Sequence, residues 1–272
     1  MTSFYTSLNA LRNAETDLSV IAHNIANAET LAFKSRSVQF ADIVAGGSGN
    51  DPRLSVGLGA TVSTINQDFS LGAIEQTGRS LDVAIDSDGF FSVRNRETNE
   101  FTFTRNGNFQ IDSDGNIEDA RGQPIQTFAV DPATGLPLNT TPTDTQVPTV
   151  STNGSDLSSV TIEGNGNILA AYADGEIVPV GRLSIATFAS NDGLLAIGQG
   201  RNRATGVSGQ PQYESPGVGN RGSILSGALE RSNVDLAEEM VALITAQRNF
   251  QANARAIDTA TAISQTVINL QG

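Results

Sequence analysis

The sequence has no cysteine and no tryptophan, and only one histidine and one lysine in 272 residues. Without cysteine there is no disulfide framework and no thiol chemistry. A lone histidine, His23, with no cysteine excludes the usual His/Cys zinc site. Lys34 is the single lysine, and arginine supplies the other fifteen positive charges. No apolar run approaches the roughly 20 residues of a membrane-spanning helix. No basic stretch followed by an apolar core marks a cleavable leader. Positive charge is scarce overall: 16 basic against 29 acidic residues give a net charge of −13. Phosphate neutralisation by Lys and Arg drives nucleic-acid binding, and the same attraction draws proteins to anionic lipid. Neither nucleic-acid binding nor membrane insertion is therefore expected.

What is present is arranged in three zones. Residues 1–45 and 226–272 are near neutral, at −1 and −2, so the remaining −10 lies between them. Phe4, Leu11, Leu18 and Ile25 recur every seven residues, with Ser7, Ala14, Ile21 and Ala28 offset by three. That is a heptad pattern, the mark of a helix with a narrow apolar seam. Leu229, Leu236, Leu243, Phe250 and Ile257 repeat it at the other end, with Met240, Gln247, Ala254, Thr261 and Ile268 as partner positions. Ser232 or Asn233 is the expected N-cap, with Asp235, Glu238 and Glu239 in the first turn. Without Gly or Pro from 228 to 271, one helix of about 60 Å is predicted.

The middle has strand character. Leu81, Val83 and Ile85 alternate with polar or small residues, as do Phe101 and Phe103, Phe109 and Ile111, and Leu183 and Ile185. Asp88-Gly89, Asn106-Gly107, Asp114-Gly115, Asp174-Gly175 and Asp192-Gly193 punctuate them as turns. The predicted fold class is α+β: a discontinuous coiled-coil domain from both termini and a central antiparallel β domain, sandwich- or barrel-like. The expected boundaries are a first helix and following turn at 1–45, an extended connector at 46–80, a β domain at 81–197, a Gly-rich connector at 198–225 and a second helix at 226–272. The prolines of 131–153 mark a further loop.

No catalytic constellation emerges. There is no G-x-S-x-G elbow, and Gly57-Leu58-Gly59 lacks the third glycine of a dinucleotide fingerprint. Asp86-Ser87-Asp88-Gly89 and Asp112-Ser113-Asp114-Gly115 resemble calcium loops, but their glycine falls at position four rather than six. A glycosidase would need two carboxyls about 5–10 Å apart, and turn-forming Asp explains the dispersed carboxylates here. Cofactors, metals and catalytic residues are expected to be none. A secreted β-rich binding module is the other rival, and it would have no use for heptad ends.

The stretch from His23 through Asn24, Ile25, Ala26, Asn27, Thr30 and Phe33 to Lys34 resembles the signature of the flagellar axial proteins, the hook and rod subunits. Its pattern is N-N-[IL]-A-N-x-x-T-x-G-[FY]-K. His23 stands for the first Asn and Ala32 for the Gly. If that glycine takes a positive φ, Ala32 is strained. Ser232 to Val241 with Ala246 to Gln251 is similar to the family's C-terminal helix, and Asp82 to Ile85 with Thr104 to Gly107 to the start of its β domain. The resemblance implies a helical homopolymer that is not an enzyme. In it, Phe4, Leu11, Leu18, Ile21, Ile25, Leu236, Met240, Leu243, Phe250 and Ile257 form the assembly seam. It also implies other axial proteins as partners (rod, hook cap and hook–filament junction), and export without a cleavable signal through the flagellar type III apparatus. Gly57 to Ala60, Gln67 to Phe69, Gly78 to Ile85 and the ending Val267 to Leu270 read most like hook subunits, while the length is that of a rod subunit. The reading is a hook subunit outside the cell with a reduced or absent outer domain; a periplasm-spanning distal rod subunit is the alternative.

Overall fold

A computed structural model describes residues 2–44, 57–132, 134–139, 141–217 and 223–271. The chain divides into two compact units. The helical unit contains residues 1–29, 34–68 and 234–272; the β unit contains 30–33 and 69–233.

In the helical unit, α1 (Thr2–Ala26) and α2 (Leu236–Gln271) pack together, and a hairpin of β1 (Arg36–Val44) and β2 (Gly57–Gln67) packs on α1. Asn24, near the end of α1, bonds Glu239 in the first turn of α2, so the helices run antiparallel along their shared length. α2 has 36 residues against 25 in α1. At 1.5 Å per residue α2 is longer than α1 by about 16 Å, or about three turns. The Asn13 side chain donates to the Ala60 carbonyl at 2.7 Å and fastens the hairpin. The predicted connector over 46–80 is corrected here. Residues 57–67 form a full strand, because Val38 meets Ile65 and Phe40 meets Val62 across the ladder. Residues 46–56 of that connector lie outside the described residues.

The β unit opens with β3 (Ile74–Gln76), β4 (Val83–Ile85), β5 (Phe90–Arg94), β6 (Phe101–Thr104), β7 (Phe109–Ile111), β8 (Ile117–Asp119) and β9 (Gln126–Phe128). It continues with β10 (Thr143–Asp144), β11 (Leu157–Ile162), β12 (Asn167–Tyr172), β13 (Ile177–Leu183), β14 (Ile185–Thr187) and β15 (Leu195–Gly198). The last strands are β16 (Arg201–Arg203), β17 (Gln212–Glu214), β18 (Ile224–Ser226) and β19 (Ala228–Glu230). A five-stranded sheet, β10-β9-β13-β12-β11, and a six-stranded sheet, β15-β16-β6-β5-β14-β17, carry most of them. Every strand ladder among the described residues is antiparallel. The chain passes from one sheet to the other at Ser184, whose hydroxyl donates to the Gln126 carbonyl at 2.7 Å. One core joins both sheets: Phe91, Val93 and Ile185 from the six-stranded sheet pack with Val160, Ile168 and Leu183 from the five-stranded one.

The Asp-Gly and Asn-Gly pairs fall between strands as their chemistry requires. Gly115 and Gly175 take φ of +82° and +87° in the β7–β8 and β12–β13 hairpins, a conformation glycine adopts without strain. The Gly-rich connector predicted for 198–225 carries short paired strands. β16 pairs with β6, β17 with β14, and β18 with β4, so these glycines shape turns between paired strands. Residues 218–222 lie outside the described residues. The second helix begins ten residues later than its predicted boundary of 226. Leu229, read as a heptad position, is instead buried in β19, which pairs with β3. The cap is Asp235, not Ser232 or Asn233: its carboxylate accepts from the Ala237 and Glu238 amides at 2.8 and 3.2 Å.

Glu118 in β8 is a buried carboxyl whose titration is displaced. Burial pushes its carboxyl up from the ordinary value of 4.5, against the nearby Arg96 guanidinium. The folded chain therefore holds this proton more tightly than the unfolded chain. Stability contributed by the neutral form is complete below the ordinary value and is lost as pH rises through the raised one. Glu118→Gln should therefore be more stable than the parent at pH 7, with the difference vanishing at pH 4. Urea midpoints across that range check this; parallel curves for the two proteins would refute it.

Candidate functional site: the paired helices and the turn after the first

The seam assembles from α1 outward. Leu11, Leu18 and Ile25 are half-buried and Ala14 and Ile21 buried, so the series predicted from spacing does face inward, whereas Phe4 is exposed. On α2 the inward series is Leu243, Ala246, Phe250, Asn253 and Ile257. Ala246 is the most enclosed at 2% exposure, a small residue that lets the helices approach. Leu243, Phe250 and Ile257 are half-buried, whereas Leu236 and Met240 are 44% and 50% exposed. The partner positions lie three residues after each seam residue rather than four, which turns Met240 and Gln247 outward. The side chain of Ile268, another partner position, lies outside the described residues.

The motif after α1 builds a junction. Asn24 is 1% exposed. Its Nδ2 donates to the Arg36 carbonyl and to Glu239 Oε1, both at 2.8 Å, and its Oδ1 accepts from the Arg36 amide at 2.9 Å. One side chain thus copies a strand neighbour for the start of β1 while gripping α2. Asn27 Nδ2 donates to the His23 carbonyl at 2.8 Å, satisfying one of the acceptors a helix end leaves open. Ala26 and Thr30 are exposed, and Phe33 and Lys34 are buried. His23 is exposed, and its ring Nδ1 lies 3.5 Å from Asn27 Nδ2.

Ala32 takes φ +54° at 4% exposure. This is the left-handed conformation expected where the family pattern has glycine, and the Cβ makes it unfavourable by about 1–2 kcal/mol. The strain is held because the Ala32 amide donates to the Glu230 carbonyl at 2.9 Å. Ala32→Gly should raise stability by about 0.5–1 kcal/mol, the gain being trimmed by glycine's greater unfolded-state freedom. A lower urea midpoint for the glycine variant would contradict this.

Sequence reasoning placed Glu239 in the first turn of α2 without its partner Asn24, and did not single out Arg36 or Asn13. It also missed Asp235 as the cap, although Asp235-Leu236-Ala237-Glu238 has the spacing of a capping box. Among the described residues no cluster of three or more His, Cys, Asp or Glu could hold a metal, and no helix is long and apolar enough to cross a membrane.

The described residues thus comprise two antiparallel terminal helices, with apolar positions left outside their own seam, and a separate unit of antiparallel strands. Residues 84–170 match the family described as flagellar hook protein FlgE/F/G D1 domain, and residues 225–270 the one described as flagellar basal body rod FlgEFG protein C-terminal. The chain is 36% identical to the flagellar basal-body rod protein FlgG of Bacillus subtilis (strain 168), over 99% of this chain and 98% of that one. It is 27% identical to the flagellar hook protein FlgE of Salmonella typhimurium, over 99% of this chain and 100% of that one. It is 28% identical to the rod protein FlgG of Borreliella burgdorferi, over 95% and 94%. The chain belongs to the flagellar hook and basal-body rod protein family, whose members are structural subunits of the flagellar axis.

Proposed function

We propose that the chain polymerises into the flagellar hook, a curved tube outside the cell that carries torque from motor to filament. The resemblance of Gly78-Arg79-Ser80-Leu81-Asp82-Val83-Ala84-Ile85 to hook subunits carries the reading. The end-to-end match with the Salmonella hook protein supports it. In the polymer, α1 and α2 form a coiled coil and the β unit is sandwich-like. Leu236, Met240, Val241 and Ile244 are all exposed in the single chain, and together with Phe4 they are the surface that neighbouring copies cover. Repeated head-to-tail contacts that do not close into a ring give a filament. The partners are further copies, the rod, hook cap and junction proteins, and the type III export apparatus.

A distal rod subunit is the second reading. It is favoured by the Bacillus subtilis rod protein, which aligns over 281 residues, close to the length of this chain. The Salmonella hook protein needs 413. An epitope inserted between Asn153 and Gly154, where a turn leaves open space, separates the two by immuno-electron microscopy of purified hook–basal bodies. Label along the curved external segment supports the hook. Label on the straight shaft inside the envelope makes the chain a rod subunit, and absence from every axial structure sinks both.

A further inference from the structure

The chain passes between its two units at four points: 29/30, 33/34, 68/69 and 233/234. Every covalent path for force therefore enters the β unit through Thr30, Phe33, Phe69 and Asn233. Within the β unit the segments carrying these ends are tied together. The Asn233 amide donates to the Phe33 carbonyl at 3.3 Å, and its side chain to Ser70 Oγ at 3.1 Å. The Arg231 amide donates to the Ala73 carbonyl at 2.8 Å. Gly72 lies so close that a Cβ would stand 2.1 Å from the Arg231 carbonyl oxygen.

Glu230 is common to these segments. Its carbonyl accepts from the Ala32 amide at 2.9 Å, its Oε1 accepts from the Gly72 amide at 3.0 Å, and its backbone pairs with Ile74 in the β19–β3 ladder. Its side chain is 0% exposed, and its Oε2 lies 3.5 Å from Nη1 of Arg105, itself 2% exposed. Arg105 is held in turn: Nη2 donates to the Ser87 carbonyl at 2.8 Å, and the guanidinium sits 5.4 Å from the centre of the Phe90 ring. Phe90 packs with Phe103 and Ala186 in the second apolar cluster of the β unit. A charge pair so fully buried is costly to form, and apolar residues of similar size often serve stability as well. Its position, rather than a gain in stability, is what needs explaining.

We propose that the Arg105–Glu230 pair is a clasp that couples the segments carrying the four ends into one stiff anchor, so that twist applied to any end is borne by all. Glu230 acts as a positioning residue, and Arg105 seats the clasp on the core. This rests on the torque-carrying reading for its purpose but not for its structure.

Amide hydrogen exchange on the purified full-length chain tests it without requiring a filament. In Glu230→Gln and Arg105→Gln, the amides of Ala32, Gly72, Arg231 and Asn233 should speed up together by about tenfold or more, while those of β12 hold, as for opening of one local cooperative unit. The amides of Ala32, Arg231 and Asn233 donate to backbone carbonyls that neither substitution removes. Their acceleration therefore reports coupling and not a lost acceptor. Acceleration at Gly72 alone, or equal acceleration across the whole β unit, overturns the clasp. Should a single variant not fold, the charge-free pair Arg105→Met with Glu230→Met keeps the site filled. Parent-like protection at Ala32, Arg231 and Asn233 in that protein also overturns it. Coupled opening with no epitope label on any axial structure would retain the clasp and reject the proposed function.

Discussion

Phe109→Ala is expected to destabilise the β unit by about 3–5 kcal/mol, near the upper end for a single side chain. Phe109 is 0% exposed in β7 and meets Phe91 edge-on, with ring centres 5.2 Å apart. Truncation removes its buried apolar area and the edge-to-face contact, and it leaves a cavity at a place where two sheets converge. The neighbourhood is poorly able to collapse. Gly107, two residues earlier, is already pressed against β4, where a Cβ would lie 1.8 Å from the Val83 carbonyl oxygen. The control is Phe101→Ala, with the same chemistry at 41% exposure; it should cost under about 1 kcal/mol. Urea unfolding followed by the fluorescence of Tyr172 and Tyr213, both in the β unit, reads the difference. Similar losses in the two variants would show that Phe109 does not organise the core.

Asn24→Ala is expected to loosen the helical unit by about 3 kcal/mol, because it leaves buried polar groups without their partner. Three hydrogen bonds go at once: two with the Arg36 backbone and one with Glu239. Asn24→Asp should be at least as harmful. A carboxylate cannot donate, so it would place negative charge against both the Arg36 carbonyl and the Glu239 carboxylate. Asn27→Ala, which removes the single bond to the His23 carbonyl, should cost about 1 kcal/mol. Limited proteolysis of α1 and β1 ranks the variants, and a swarming assay of complemented cells reports whether the subunits still assemble. Parent-like resistance in Asn24→Ala would mean that the junction is held by packing alone.

The exposed face of α2 bears on how these effects combine. Leu236, Met240 and Ile244 lie outside the seam with α1, each at least 44% exposed. A helix with apolar residues on two faces satisfies only one of them in an isolated chain. Loss of Asn24 would therefore disturb both the internal pair and the orientation of the surface offered to neighbours.

Periodicity and turn chemistry determined much of this protein without reference to any fold. A heptad needs only a sequence to show it, and so the spacing of Leu11, Leu18, Ile21, Leu243, Phe250 and Ile257 was legible, while the exposure of Phe4, Leu236 and Met240 was not. The Asp-Gly and Asn-Gly turns were legible for the same local reason, and so was the positive φ at Ala32 once its place in the family pattern was known. The lack of cysteine likewise excluded a disulfide within these 272 residues. What the tertiary structure decided was everything that depends on a distant partner. Residues 57–67 are a strand because β1 lies opposite them, and 201–203 and 212–214 join the six-stranded sheet because β6 and β14 offer edges. Leu229 belongs to β19 because β3 is there to pair with it, although its spacing fitted the heptad equally well. The partners of Asn24 and the burial of Arg105 against Glu230 are contacts across 215 and 125 positions of chain. Local composition carries no record of such contacts, because their energy exists only when the two segments have already met.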